Sequence, residues 1–177
     1  MKYVALLRGI NVGGNKKVPM GDLKKAMEKG KMKDVKTLLN SGNVVFESDE
    51  KEAAVNKHLE TLIETRFGFP VPVILRTFSA IEKLANADPF KGISVTEATR
   101  LYVSFLGEKP KSSLKKYESP DGNFRILKVS GQEIISVLTV TADRGSVDAM
   151  TILEKEFGKN ITTRNWNTVL KLLKTKA

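Results

Sequence analysis

The chain of 177 residues has no cysteine and a single histidine. Without cysteine there is no disulfide, no thiol nucleophile and no thiolate metal ligand, and a reducing compartment is the consistent setting. No apolar run approaches the ~20 residues that span a bilayer, and the N-terminal run Tyr3 to Leu7 is too short for a signal peptide. A globular cytoplasmic protein that does not enter the membrane is therefore expected. Neither G-x-x-x-x-G-K-[ST] nor G-x-S-x-G occurs, which removes the P-loop and the nucleophile elbow. His58 lies in mid-helix without a second metal-ligand type at ligand spacing, so it reads as a surface or boundary residue, and no metal or cofactor is expected.

What is present is charge and core. Hydrophobic residues make up 41% of the chain, enough for a buried interior, and the formal net charge is +10. The excess is spread out: residues 1–90 carry 15 Lys and Arg against 11 Asp and Glu, and residues 91–177 carry 15 against 9. No basic tail stands apart, so much of this charge belongs to solvated helix faces.

The periodicity predicts an α+β fold. KYVALL (2–7) reads as a strand, Asp22–Lys29 as a helix stopped by Gly30, VKTLLN and NVVFES as a hairpin turned at Ser41-Gly42, a second helix capped by Ser48 or Asp49 and ended by Gly68, and VPVILRTF as a fourth strand. That order, βαββαβ, is the ferredoxin-like split unit. A short helix with a Ser79/Glu82 capping box follows, and domain limits of 1–90 and 99–177 are expected around a linker at 91–98.

The second part repeats the order incompletely. RLYVSFL, a short helix near Ser112 to Tyr117, a PDGN turn, FRILKVS, a Gly131-Gln132 turn, EIISVLTV and a helix from about Val147 to Phe157 give βαββα, with a C-terminal helix in place of the last strand. In that terminal helix Trp166, Val169, Leu170 and Leu173 share an apolar face, so Trp166 reads as a core anchor. Arg164, Asn165 and Asn167 are expected at its start, where free N–H groups favour an anion.

Topology then joins two distant stretches. In βαββαβ the first two strands run parallel, so their C-terminal ends share one sheet edge. The loop RGINVGGNKKVPM (8–20) therefore falls beside the hairpin tip NSGN (40–43). Arg8, Lys16 and Lys17 bring charge, Gly13 and Gly14 allow close backbone approach, and Asn11, Asn40, Ser41 and Asn43 bring donors and acceptors. With Arg164, Asn165 and Asn167 these form the candidate ligand-binding set, suited to a phosphate-bearing partner, either nucleic acid or nucleotide. An enzyme that stabilises a small anionic substrate electrostatically is one alternative. An Arg/Asn clasp between domains is another. Asp143 and Arg144, in a TADRGS loop, are further polar candidates at an element end.

The stretches YVALLRGINVGGNKKVPM, NSGNVVF and TTRNWNTV closely resemble the bacterial family catalogued as domain of unknown function 1697, across nearly the whole chain. The resemblance implies a compact cytoplasmic α/β protein and supplies no catalytic residue.

Overall fold

The computed structural model describes residues 1–142 and 148–175. It is an α+β protein of two antiparallel sheets and five helices among the described residues. The chain divides into two compact units, Met1–Lys83 with the chain's end from Lys171, and Leu84–Leu170.

In the first unit β1 (Lys2–Leu7), α1 (Met20–Lys29), β2 (Lys33–Leu38), β3 (Asn43–Glu47), α2 (Glu52–Phe67) and β4 (Val73–Thr77) follow the expected split order. The sheet runs β2-β3-β1-β4 with every neighbour antiparallel, which leaves β1 and β2 parallel to each other. Alternate residues Tyr3, Ala5 and Leu7 of β1 pack with Val44, Phe46, Val73 and Leu75 against Leu23 and Met27 of α1 and Val55, Leu59 and Ile63 of α2. These helix residues recur at four-residue spacing, one stripe per helix, and burying each large side chain contributes roughly 1.5–3 kcal/mol. The opposite sheet face carries Val4, Leu6, Val45 and Ile74, which are buried as well, and among them Arg76.

Caps differ from those the sequence predicts. α2 starts after Lys51 with no side-chain cap; Ser48 Oγ instead accepts from Glu50 N, and Asp49 pairs with Lys33 at 2.7 Å. α1 begins at Met20, because Pro19 has the φ that suits a helix entrance. Gly68 ends α2 as expected, with φ +85 and its N–H bonded to Glu64 O. α3 (Phe78–Asn86) is capped by Thr77, whose Oγ1 accepts from Ala80 N, not by Ser79, since Phe78 already belongs to the helix.

The second unit contains β5 (Thr99–Leu106), β6 (Tyr117–Glu118), β7 (Phe124–Ser130), β8 (Glu133–Thr139), α4 (Ala149–Phe157), β9 (Ile161–Asn165) and most of α5 (Trp166–Leu173). Its sheet order is β6-β7-β8-β5-β9. The helix expected at Ser112 to Tyr117 does not form. Ser112 Oγ caps Leu114 N locally and donates to Glu156 Oε1 of α4, so the segment is tied to α4 while Tyr117 and Glu118 pair with β7.

The unit also has the last strand that the sequence pattern omits. ITTRN pairs with β5 as β9, so Arg164 and Asn165 are strand residues and only Asn167 lies in the first turn of α5. Three β-branched residues, Ile161, Thr162 and Thr163, favour the pleated surface and outweigh the helical period that begins at Trp166. Within α5 the fully buried positions are Val169 and Leu172, while Trp166 is half-buried and meets Phe90 edge-on, ring centroids 5.3 Å apart.

Apart from β6, the two sheets have the same order, β2-β3-β1-β4 matching β7-β8-β5-β9, and the same register. Tyr3 lies opposite Phe46 and Thr77; Tyr102 lies opposite Ser136 and Asn165. Val4 faces Arg76, and Val103 faces Arg164. The repeat is thus explicit residue by residue across three strands.

Candidate functional site

The loop after β1 leaves the core at Ile10 and returns at Val18, both buried, and everything from Val12 to Lys17 between them is exposed. Those two apolar anchors make the loop a projection from a fixed base. Its tip is a two-residue hairpin turn: Asn15 N donates to Val12 O at 3.1 Å, Asn11 N donates to Lys16 O at 3.1 Å, and Gly13 and Gly14 have φ of +59 and +76. Positive φ at both central positions is the mirror-image turn that fits a twisted ribbon, and it favours glycine at each. Among the described residues, the N–H groups of Gly13 and Gly14 have no backbone acceptor.

Asn11 holds this projection in place. Its Oδ1 accepts from Val18 N at 2.8 Å, and its Nδ2 donates to Val18 O at 3.0 Å and to Asn40 O at 2.7 Å. The amide thus closes the loop's base and links it to the turn between β2 and β3. The juxtaposition expected from parallel β1 and β2 is present, through a specific bond.

The second turn is built just as tightly. Asn43 is fully buried and its Nδ2 donates to Leu38 O and Ser41 Oγ, each at 2.9 Å. Gly42 has φ +84 and passes its carbonyl to Leu7 N at 2.8 Å; a Cβ there would lie 2.7 Å from Leu7 Cβ. Asn40 and Ser41 remain exposed at the tip.

The candidate residues therefore separate by role. Asn11 and Asn43 spend both amide hydrogens on the protein's own acceptors, which makes them fasteners of the two loops. Gly13, Gly14, Lys16, Lys17, Asn40 and Ser41 are exposed on the resulting ridge, with Arg8 half-exposed at its base, its N–H bonded to Pro72 O. Two apolar tips stand on the same pair of loops, Val12 at 70% exposure and Leu39 at 50%. Sequence reading passed over these two, because an isolated valine or leucine in a loop carries no pattern.

Arg164, Asn165 and Asn167 belong to the second unit. Arg164 is only 7% exposed, and its Nη1 donates to Thr162 Oγ1 at 2.7 Å and Thr163 O at 2.9 Å. Burial pushes its guanidinium down to about 10. It is an internal group of the sheet and does not present a surface donor at a helix start; Asn165 and Asn167 are exposed.

Acid–base and metal candidates stay sparse. His58 Nδ1 lies 3.3 Å from Glu50 Oε1 on an exposed face. Among the described residues no group of three His, Cys, Asp or Glu is placed to hold a metal. Asp143 and Arg144 lie outside the described residues. No helix among the described residues is long and apolar enough to cross a membrane.

With this geometry in hand, the comparison with known proteins is specific on fold and family. The family described as "Protein of unknown function (DUF1697)" matches residues 1–134, which include both loops of the ridge. The chain belongs to that family. The DUF1697 match stops short of TTRNWN, so it covers two of the three motifs that carried the resemblance. This DUF1697 chain is also similar in structure to the conserved bacterial protein SP0830 from Streptococcus pneumoniae, with a TM-score of 0.73 at 22% identity, over 98% of this chain and 97% of that one. At that identity the likeness concerns the fold. Among curated proteins none matches this DUF1697 chain.

Proposed function

We propose that the ridge of the first unit binds a phosphate-bearing ligand, nucleic acid or nucleotide, through Lys16, Lys17, Arg8 and the backbone of Gly13 and Gly14, with Asn40 and Ser41 alongside. The observation that carries this reading is the Asn11 Nδ2 bond to Asn40 O, which fixes an exposed cationic glycine hairpin beside a second exposed polar turn. Donors held in place before binding lose little freedom on binding. Val12 and Leu39 add apolar surface to the ridge, which suits the sugar and base of a nucleic acid better than a bare phosphate.

The experiment is fluorescence anisotropy with a labelled 20-nucleotide single-stranded RNA, and ATP in a parallel arm, titrated between 50 and 200 mM salt. The expected result is affinity that falls as salt rises, with the log–log slope reduced by about one for each of Lys16→Ala and Lys17→Ala. Saturable ATP binding without RNA binding would narrow the ligand to a nucleotide. Absence of both, or a salt-independent affinity unchanged in the double variant, overturns the reading.

A further inference from the structure

The register match between the two sheets exposes one place where their interiors are built differently. Tyr3 and Tyr102 are equivalent, so Phe46 corresponds to Ser136, Ala5 to Ser104 and Leu75 to Thr163. In the first unit these positions are apolar members of the core, and Phe46 fills the space beside Tyr3 with ring centroids 5.8 Å apart. In the second unit all three carry hydroxyls, and the helix side of the sheet holds a cavity of about 570 Å³.

Ser136, Thr163 and Tyr102 line that cavity from the sheet, and Leu138, Met150 and Leu153 wall it. Ser104 Oγ and Thr163 Oγ1 satisfy each other at 2.7 Å. Ser136 Oγ is fully buried and has no hydrogen-bond partner. Buried hydroxyls are ordinarily bonded, and a serine where the equivalent strand has phenylalanine gives up packing as well. A residue that loses on both counts is explained by an occupant that supplies the volume and the bond.

The described lining also favours an uncharged occupant. Among the described residues its one ionisable side chain besides the Tyr102 phenol is Asp148, whose carboxylate caps α4 by accepting from Thr151 N at 3.1 Å and from Thr151 Oγ1. Among the described residues no lysine or arginine lines the cavity, so the described lining offers a phosphate or carboxylate no counter-charge. We propose that this cavity binds a small uncharged molecule with an apolar, ring-sized body and one hydrogen-bonding group that meets Ser136 Oγ. The volume falls in the range of small-ligand sites. This site is separate in residues and in ligand chemistry from the cationic ridge.

The test compares p-cresol with toluene, which differ by the hydroxyl, on the full chain by amide-resolved NMR titration. The expected result is saturable shifts at Ser136, Leu153 and Thr163, with p-cresol bound about tenfold more tightly than toluene. Ser136→Ala should erase that preference while the protein stays folded, since it removes a hydroxyl that bonds nothing. Ser136→Phe, which restores the first unit's residue, should abolish both titrations. Shifts that are absent or lie elsewhere, equal affinity for the two probes, or a preference that survives Ser136→Ala each overturn the proposal.

Discussion

Arg76 and Arg164 hold the same register position in two sheets, Arg76 opposite Val4 in β1 and Arg164 opposite Val103 in β5. Each donates from Nη1 to the carbonyl of the residue before it, Leu75 at 2.8 Å and Thr163 at 2.9 Å, and each precedes by two residues an aromatic that opens a helix, Phe78 or Trp166. Both side chains are buried. Truncating either leaves a cavity and removes a donor from a carbonyl that is buried at Leu75 and part-buried at Thr163. Arg76→Ala and Arg164→Ala are each expected to cost about 2–4 kcal/mol, a fall in Tm of about 5–15 °C by scanning calorimetry. The sign of the pH effect follows from the lowered Arg164 value. Desolvation of the charged guanidinium offsets part of what the Arg164 side chain contributes through packing and hydrogen bonds, and this offset is relieved only above about pH 10, so the deficit of Arg164→Ala should widen there. A loss below 2 °C at pH 7 in both variants would show that neither guanidinium supports its sheet.

The Asn11 clamp separates a fastener from a ridge residue. Asn11→Ala removes three hydrogen bonds that join the loop base to Val18 and Asn40, at an expected cost of about 1–3 kcal/mol. Asn40→Ala leaves the accepting carbonyl in place, so it should stay within about 0.5 kcal/mol of the parent in urea unfolding. On the proposed function both variants weaken RNA or ATP binding, Asn11→Ala by releasing the ridge and Asn40→Ala by removing a contact. Equal destabilisation by the two would show that the Asn40 side chain has a structural part of its own.

This contrast also marks how far the residues could be read in order. Parallel β1 and β2 followed from the order of elements, and with them the meeting of residues 8–20 with 40–43. Which asparagine was a fastener did not follow, because Asn11, Asn40 and Asn43 carry identical chemistry and differ only in the backbone groups the fold places near them. β9 was hidden for another reason. Arg164-Asn165 stand directly before a strongly helical run, and five residues of strand offer a weaker periodic signal than the eight of α5. The hydroxyl cavity was beyond reach in principle, since Ser104, Ser136 and Thr163 become a set only when two registers are laid over each other.

Glycines on the two loops should respond differently. Gly42→Ala places a Cβ 2.7 Å from Leu7 Cβ and 2.8 Å from Ile10 Cδ1, at a φ of +84 that already disfavours alanine. Overlap and backbone strain together are expected to cost about 3 kcal/mol or more. Gly13→Ala and Gly14→Ala meet nothing within 4 Å and carry only the left-handed penalty, about 1–2 kcal/mol each. Thermal melts of the three variants check this order. A Gly42→Ala protein as stable as Gly13→Ala would mean that the turn shifts freely away from Leu7.

Asp121 offers a pH-dependent test of the turn between β6 and β7. The Ser119 hydroxyl and the Asn123 backbone N–H, with further help from the Asn123 side chain, hold its carboxyl below the usual carboxylate range. The same turn is closed by Gly122 N to Ser119 O and by Phe124 N to Ser119 Oγ, so the ionised carboxylate orients the serine that organises the loop. A folded pKa below the unfolded value means that the contribution is complete above the unfolded pKa and lost as pH falls through the folded one. Asp121→Asn should therefore melt below the parent at pH 7, and the gap should close only as pH falls below the usual carboxylate range, about 4. Fluorimetric melts across that range measure the gap, and a carbon-detected titration of the Asp121 carboxyl locates the midpoint. A gap that persists unchanged at a pH where the titration shows the carboxyl protonated would show that side-chain shape, and not the ionised oxygen pair, closes the turn.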